Sequence, residues 1–178
     1  MEGPARVSLI SRLIGSRSEP QVDAHPLWQR IVEIAREPDW YARGGIADTV
    51  AGRFDAVTLV LSLVMLKMEK DPVLREHTAR LAERFVADMD GQLRESGVGD
   101  LSVGKHMGKL MSVLGGRIGA YRDALKSRDL AVLGEALERN VTFVEGAKSE
   151  HVAAETLALA DKLAAIDSAS LLAGRIER

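Results

Sequence analysis

The sequence predicts an all-α protein that forms a single compact domain. Aromatic residues make up only 4% of the chain while 46% of its residues are hydrophobic, so the core must consist mainly of Leu, Val, Ile, Ala and Met. These side chains favour helix packing over a β-sandwich. Apolar residues also recur at steps of three or four, the spacing of a buried helix face. We therefore expect about six or seven helices joined by short loops over residues 23–178.

Residues 1–22 are predicted to form a mobile, basic, weakly amphipathic arm in which arginines interrupt the apolar positions. The arm lacks the small-residue cleavage site of a secretory signal. The longest uncharged run of the chain, at residues 56–66, is shorter than the roughly 20 residues that span a bilayer, so we expect no transmembrane segment. Three roles suit the arm: a solvated terminus, a helix resting on an anionic membrane surface, or a partner contact.

The first helix is predicted to begin at Pro26, where the missing N–H is harmless, and to end before Pro38. Trp40 and Tyr41 follow it directly. This arrangement predicts a short helix with one apolar face and an aromatic pair at its end.

A central, buried helix is predicted over residues 53–70. The preceding segment, residues 42–52, contains three glycines and the pair Asp48-Thr49, which together indicate a turn-rich connection and a helix N-cap. The helix itself carries apolar residues on every face, which is typical of a helix at the centre of a domain. Its uninterrupted length favours helix over strand.

The remaining helices are predicted from capping residues and apolar stripes. Asp71-Pro72 provides a cap and a first-turn proline for a helix that ends near Gly97. Ser102 is predicted to cap the next helix, which carries one regular apolar stripe. Two further helices are predicted at residues 130–144 and, rich in alanine, at residues 149–175.

The helix after Ser102 carries four glycines on one side, within an arc of roughly 60° beside the apolar stripe. An exposed glycine inside a helix costs about 1 kcal/mol relative to alanine, so the set indicates that another backbone approaches closely. That backbone belongs either to an internal helix crossing or to a partner helix in a groove, where flexible methionines would suit varied partners. The glycines are Gly104, Gly108, Gly115 and Gly119, and the methionines are Met107 and Met111.

The residue inventory argues against catalysis, cofactor binding and nucleic-acid binding. A net charge of −2 gives no field that would gather nucleic acid, and the absence of cysteine removes disulfides and thiolate chemistry. The four histidines are far apart in sequence and form no His-Glu-x-x-His pair. The chain also lacks a glycine-rich phosphate loop and a Gly-x-Ser-x-Gly elbow. We expect no catalytic residue, no cofactor and no metal.

Asp88 and Asp90 are the most enzyme-like feature, because paired carboxylates can hold a divalent cation or exchange protons. Residues two apart on a helix point about 200° from each other, so both can face one ion only if the helix breaks near Gly91. The structural alternative is that one aspartate pairs with an arginine whose planar fork fixes the angle between two helices. The available arginines are Arg53, Arg94 and Arg117.

Several short motifs occur in an order and spacing that resembles the ubiquinol–cytochrome c chaperone family. They are Trp40-Tyr41, Asp48-Thr49, Gly52-Arg53-Phe54-Asp55, Phe85-Val86-x-Asp88-Met89-Asp90, Leu93-Arg94-Glu95-x-Gly97-Val98-Gly99-Asp100, and Gly116-Arg117 with Tyr121. The resemblance covers residues 26–126 and is loose after residue 128.

This resemblance implies an all-α fold and a non-enzymatic role. Family members bind newly made cytochrome b during assembly of the respiratory cytochrome bc complex, and mitochondrial members act beside the ribosome with a small partner subunit. The chain lacks an Arg- and Ser-rich presequence, so it resembles a bacterial, cytoplasmic member that works in solution or peripherally at the inner face of the cytoplasmic membrane. The residues implied in client or partner binding are Trp40, Tyr41, Arg53, Phe54, Asp55, Asp88, Asp90, Arg94, Arg117 and Tyr121.

The sequence departs from the family pattern at two places. Leu114-Gly115-Gly116 precedes Arg117 where the family commonly has an aromatic residue, and the central helix has no histidine near Thr58. These differences leave the client-binding face open. Two other classes of function also stay open: a metal-dependent enzyme that uses Asp88 and Asp90, and a helical scaffold that dimerises through its alanine-rich last helix.

Overall fold

Nine helices make up the part of the chain that the structure describes. The structure is a computed structural model, and it describes residues 24–95 and 103–178. The arm at residues 1–22 and the predicted cap Ser102 lie outside these ranges, and the side chains of residues 92–95 and 103–106 are not described. The helices are α1 (His25–Ala35), α2 (Pro38–Ala42), α3 (Val50–Glu69), α4 (Pro72–Arg75), α5 (Thr78–Glu95), α6 (Val103–Ser127), α7 (Leu130–Asn140), α8 (Glu150–Ala165) and α9 (Ser168–Leu172). The all-α prediction is confirmed.

Helix α3 forms the centre of the fold, as its apolar pattern predicts. Every residue from 55 to 66 is buried, and α1, α6 and α8 pack around the helix. Thr49 caps the first turn by accepting a 3.2 Å hydrogen bond from the backbone N–H of Gly52, which confirms the predicted N-cap. Gly52 is needed at this position because a Cβ there would lie 1.9 Å from the carbonyl oxygen of Ala47.

Helix α1 begins at His25, one residue before the predicted start at Pro26, and Pro38, predicted only as the end of the first helix, also begins α2. Pro26 and Pro38 each lie in the first turn of their helix, where no N–H is required. Trp28 on the buried face of α1 meets Phe85 of α5 edge to face, with ring centroids 6.0 Å apart. This contact connects the first helix of the domain to α5.

The single helix predicted from Asp71 to Gly97 is wrong, because the structure divides it into α4 and α5. Asp71 caps α4, which is a single turn, and also accepts a 2.5 Å hydrogen bond from Ser168 at the start of α9. The chain turns at residues 76–77, after which α5 packs against α1 and α6. One straight helix could not contact both α9 and the α1–α6 side of the core, so the packing explains the division.

Helix α7 ends at Asn140, earlier than predicted, because the residues after it pair with a distant loop. An isolated antiparallel bridge joins Ile46 and Phe143. Two backbone hydrogen bonds flank this bridge. The N–H of Ala47 donates to the carbonyl of Thr142 at 2.9 Å, and the N–H of Val144 donates to the carbonyl of Gly45 at 2.8 Å. The backbone groups that a longer helix would have satisfied internally are satisfied across the two loops instead.

The alanine-rich helix predicted over residues 149–175 is also divided, into α8 and α9. Asp167 provides the reason, because its side chain caps α9 by accepting a 2.9 Å hydrogen bond from the backbone N–H of Ser170. The two divided helices and the short α2 explain why the described residues form more helices than expected. None of the helices in the described ranges combines the length and the hydrophobicity required to cross a lipid bilayer.

Candidate functional site

A buried ion pair joins α3 to α6. One guanidinium nitrogen of Arg117 lies 2.5 Å from Oδ1 of Asp55, and another donates a hydrogen bond to the hydroxyl of Thr58. Only 12% of the Arg117 side chain and 7% of the Asp55 side chain are exposed. The guanidinium also lies over the ring of Phe54, 5.3 Å from its centroid. Arg117 therefore determines how α6 lies on α3.

Asp55 also holds the loop between α7 and α8. Its Oδ2 accepts hydrogen bonds from the backbone N–H of Thr142 at 2.8 Å and from the hydroxyl of the same residue at 2.7 Å. Both carboxylate oxygens are thus paired, which is the condition for burying a charge without a large penalty. We call Phe54, Asp55, Thr58, Arg117 and Thr142 the Asp55–Arg117 cluster.

Tyr121 is buried one turn after Arg117 on α6. Burial raises the pKa of its phenol well above the ordinary value, so the hydroxyl stays protonated at any physiological pH. That hydroxyl has no hydrogen-bond partner within the described ranges. The ring fills the core, and the structure therefore gives Tyr121 a packing role.

Arg117, one of the three arginines that the sequence analysis offered to Asp88 or Asp90, pairs with Asp55 instead. Asp88 is exposed and accepts a 3.1 Å hydrogen bond from the indole N–H of Trp28. Helix α5 runs without a break through Asp90 and Gly91. The helix break that a metal site at this pair requires is therefore missing, and neither aspartate belongs to a group of three potential metal ligands among the described residues.

Trp40 and Tyr41 anchor α2 to the end of α1. The indole N–H of Trp40 donates to the carbonyl of Ile34 at 2.8 Å, and the hydroxyl of Tyr41 donates to the carbonyl of Ala35 at 2.7 Å. Trp40 is 1% exposed, so it offers almost no surface to a partner. Of this predicted pair, Trp40 lies in the core and Tyr41 packs at the edge of the core.

Arg53 differs from Arg117 in its surroundings. Arg53 is exposed at the start of α3 and lies 2.6 Å from Oδ1 of Asp48. This hydrogen bond holds the pKa of the Asp48 carboxyl below its ordinary value. The side chain of Arg94 lies outside the described residues.

Three glycines of α6 have no close neighbour among the described residues, so no described helix makes the tight internal crossing that was one of the two alternatives. A Cβ added at Gly108, Gly115 or Gly119 would meet no atom of the described residues within 4 Å, and the surroundings of Gly104 are not described. Met107 and Met111 lie beside them, each 43% exposed. Leu110, Leu114, Arg117 and Tyr121 face the core from the other side of α6, which explains why none of the described helices covers the glycine side. We call Met107, Gly108, Met111, Gly115 and Gly119 the α6 face.

A second polar cluster, which the sequence analysis missed, joins α2 to α8. Nε2 of His151 lies 2.7 Å from Oδ2 of Asp39. This hydrogen bond, together with the positive charge of Arg43, holds the pKa of the Asp39 carboxyl below its ordinary value. Glu155, one turn after His151, lies 3.2 Å from Arg178. The four-residue spacing of His151 and Glu155 was the feature in the sequence that could have indicated this cluster. Asp39 could not have been found in this way, because it lies 112 positions from His151.

The fold and the site define an all-α protein in which several of the predicted site residues are core residues and one long helix has an open face. Residues 42–178 match the family model for the ubiquinol-cytochrome C chaperone. The chain therefore belongs to the ubiquinol–cytochrome c chaperone family. The match continues to residue 178, beyond the segment in which the motifs occur.

A solved structure supports the same conclusion. The chain is similar to the Cbp3 homolog from Brucella abortus, with 32% sequence identity, a TM-score of 0.78, and coverage of 95% of this chain and 96% of that one. No curated protein matches the chain. Family membership assigns the chain a chaperone role in assembly of the cytochrome bc complex.

Proposed function

We propose that this chain binds newly made cytochrome b and keeps it competent for assembly into ubiquinol–cytochrome c reductase. Membership of the chaperone family supports the assembly role. Cytochrome b is the proposed client because its membrane segments carry large apolar surfaces that need cover until partner subunits arrive. A protein that holds such segments needs an exposed surface which accepts an apolar helix.

The observation that carries this proposal is the α6 face. Within residues 24–95 and 103–178, no atom lies within 4 Å of a Cβ position at the glycines there, so a client helix can approach the α6 backbone closely. Met107 and Met111 supply exposed apolar contact beside the glycines. Methionine side chains adapt to different partner surfaces, which suits a client with several membrane segments.

The Asp55–Arg117 cluster supports the same proposal, because it holds the α6 face in place before a client arrives. Gly115 and Arg117 are two residues apart and therefore point about 200° from each other around α6. The arginine fixes the buried side of the helix to Asp55 while the glycine side is open. A surface that is already ordered loses less conformational entropy on binding.

A substitution at the centre of the face tests this role. Met111→Glu places a charge where an apolar client segment would pack, and a loss of about 2 kcal/mol at a binding hot spot corresponds to about 30-fold weaker capture. Val132→Glu is the matched control, because Val132 is also an exposed apolar helix residue, 41% exposed, but lies on α7. Capture is measured as the cytochrome b recovered with affinity-tagged full-length chain from growing cells.

Two results would contradict the proposal. Equal recovery of cytochrome b with Met111→Glu and Val132→Glu removes the α6 face as the binding surface. Unchanged levels of spectroscopically intact cytochrome b in cells that lack the gene remove cytochrome b as the client.

We further propose that the chain meets its client at the inner face of the cytoplasmic membrane, near the ribosome that makes it. The three arginines at positions 6, 12 and 17, among apolar residues and against two glutamates, support contact of residues 1–22 with anionic lipid. Flotation of the full chain with vesicles of phosphatidylglycerol, compared with a chain that lacks residues 1–22, tests this placement. Equal flotation of both chains would contradict a role for the arm.

A further inference from the structure

The cluster between α2 and α8 brings three different metal-binding side chains to one point. His151 and Glu155 are four residues apart on α8 and therefore lie on the same face of the helix. Asp39 reaches the same point from α2. One potential ligand atom from each of the three residues lies within 4.8 Å of the other two.

The donor set selects among metal ions. One imidazole nitrogen with two carboxylate oxygens suits zinc and its transition-metal neighbours, whereas magnesium and calcium prefer oxygen donors alone. Catalytic and exchangeable zinc sites commonly have three protein ligands and one water. In a tetrahedral site with bonds of about 2.0–2.1 Å the donor atoms are about 3.3 Å apart. The present 2.7 Å separation of His151 and Asp39 requires only a small side-chain adjustment to reach that spacing.

Neighbouring groups orient both carboxylates. Arg43 lies 3.1 Å from Oδ1 of Asp39, which leaves Oδ2 on the side of His151. Arg178 lies 3.2 Å from Oε2 of Glu155 and is itself held over the ring of Trp40, 4.3 Å from the centroid. Hydrogen bonds to the second oxygen of a ligating carboxylate are a regular feature of metal sites.

The cluster is also accessible from solvent. Asp39, His151 and Glu155 are all partly exposed. Asp39 and Glu155 line one surface pocket, which Arg43, Lys162 and Arg178 line as well. The positive charges of these side chains disfavour an ion that binds by charge alone, so binding depends on the imidazole nitrogen and on the geometry of the three donors.

We propose that Asp39, His151 and Glu155 form a binding site for a divalent transition-metal ion of the zinc type, with one coordination position open to water. The ion joins α2 to α8 at the place where His151 of α8 already contacts Asp39 of α2. Close by, Arg178 of the C-terminal tail pairs with Glu155 of α8 and with Glu37, the residue before α2. This site is separate from the α6 face and from the Asp55–Arg117 cluster.

The test is titration of the metal-free full chain with zinc chloride and, separately, with magnesium chloride, followed by calorimetry. We expect one zinc ion per chain and no heat from magnesium. Cobalt chloride provides a second measurement, because tetrahedral cobalt with mixed nitrogen and oxygen ligands has strong visible absorption. Isosteric Glu155→Gln and the shorter His151→Ala should each weaken zinc binding at least about tenfold and remove the cobalt spectrum.

His25→Ala is the matched control, because His25 lies on α1, outside the cluster. It should leave the zinc affinity and the cobalt spectrum unchanged. The proposal is overturned if the wild-type chain binds no zinc, if magnesium competes with zinc, or if His25→Ala weakens binding as much as His151→Ala does. Glu155→Gln keeps the shape of the side chain, so it still tests the site if His151→Ala fails to fold.

Discussion

Removal of the Arg117 charge should destabilise the fold far more than removal of an exposed arginine on the same helix. Arg117→Met keeps most of the aliphatic stem but leaves the carboxylate of Asp55 without a cation, in a position only 7% exposed. Breaking a buried pair by removing one partner costs about 3–5 kcal/mol. Because Asp55 keeps its two bonds to Thr142, we expect the lower end, about 3 kcal/mol.

This magnitude can be measured by thermal and urea unfolding. A protein of this size loses about 2–4 °C in Tm for each kcal/mol, so Arg117→Met should lower Tm by about 6–12 °C. Arg122→Met is the matched control. Arg122 lies 2.8 Å from Glu69, and the two side chains are 42% and 41% exposed. Ion pairs on the surface contribute about 0–1 kcal/mol to stability.

A double-mutant cycle identifies the cause of the loss. Asp55→Asn removes the stranded charge, so the pair Asp55→Asn and Arg117→Met together should cost less than the sum of the two single substitutions. The reasoning is refuted if Arg117→Met and Arg122→Met lower the free energy of unfolding equally, or if the two changes at the Asp55–Arg117 cluster are additive.

Three further predictions concern single residues. Gly115→Ala should raise the free energy of unfolding by up to about 1 kcal/mol, because the added Cβ on this helix meets no atom of the described residues. A lower free energy of unfolding, measured with urea, would contradict the open α6 face. Gly52→Ala should lower stability instead, since its Cβ would lie 1.9 Å from the carbonyl oxygen of Ala47, and a Tm equal to that of wild type would show that the helix start relaxes freely. The hydrogen bond from Ser168 lowers the pKa of Asp71 in the folded state. This carboxyl therefore stabilises the fold at pH values above its unfolded-state pKa, and the stabilisation is lost as the pH falls through its folded-state pKa. Asp71→Asn should therefore flatten the fall in stability below about pH 4, and an unchanged pH slope would contradict this coupling.

The central part of the fold could be predicted from the sequence because local physics determines it. Helix α3 is apolar on every face, so it can be stable only at the centre of a domain. Thr49 caps its start, and the prolines of α1 and α2 lie where their missing N–H groups do no harm. Each of these features depends on residues within a few positions of one another.

The divisions between helices could not be predicted in the same way. The break between α4 and α5 depends on the contact of Asp71 with Ser168, which are 97 residues apart. The early end of α7 depends on pairing with the loop before α3. In both places the local sequence continues a helical pattern, and tertiary contacts override it.

The candidate site was predicted only in part, for a related reason. The motifs identified Asp55 and Arg117 as important, but their pairing across 62 positions was not evident, and Arg117 was considered for Asp88 or Asp90 instead. The glycine stripe on α6 was found from its period, yet period alone could not decide whether a neighbour covers it. That decision depends on which face of α6 contacts α3 and α5.

The bond between Asp55 and Thr142 has a consequence for synthesis of the chain. The two residues are 87 positions apart, so at 5–20 residues per second the ribosome delivers the second about 4–17 s after the first. Until then Asp55 lacks the two hydrogen-bond donors that Thr142 supplies to its carboxylate. Asp55, in the first half of this assembly factor, therefore gains its full set of hydrogen-bond donors only after the ribosome has passed residue 142 of 178.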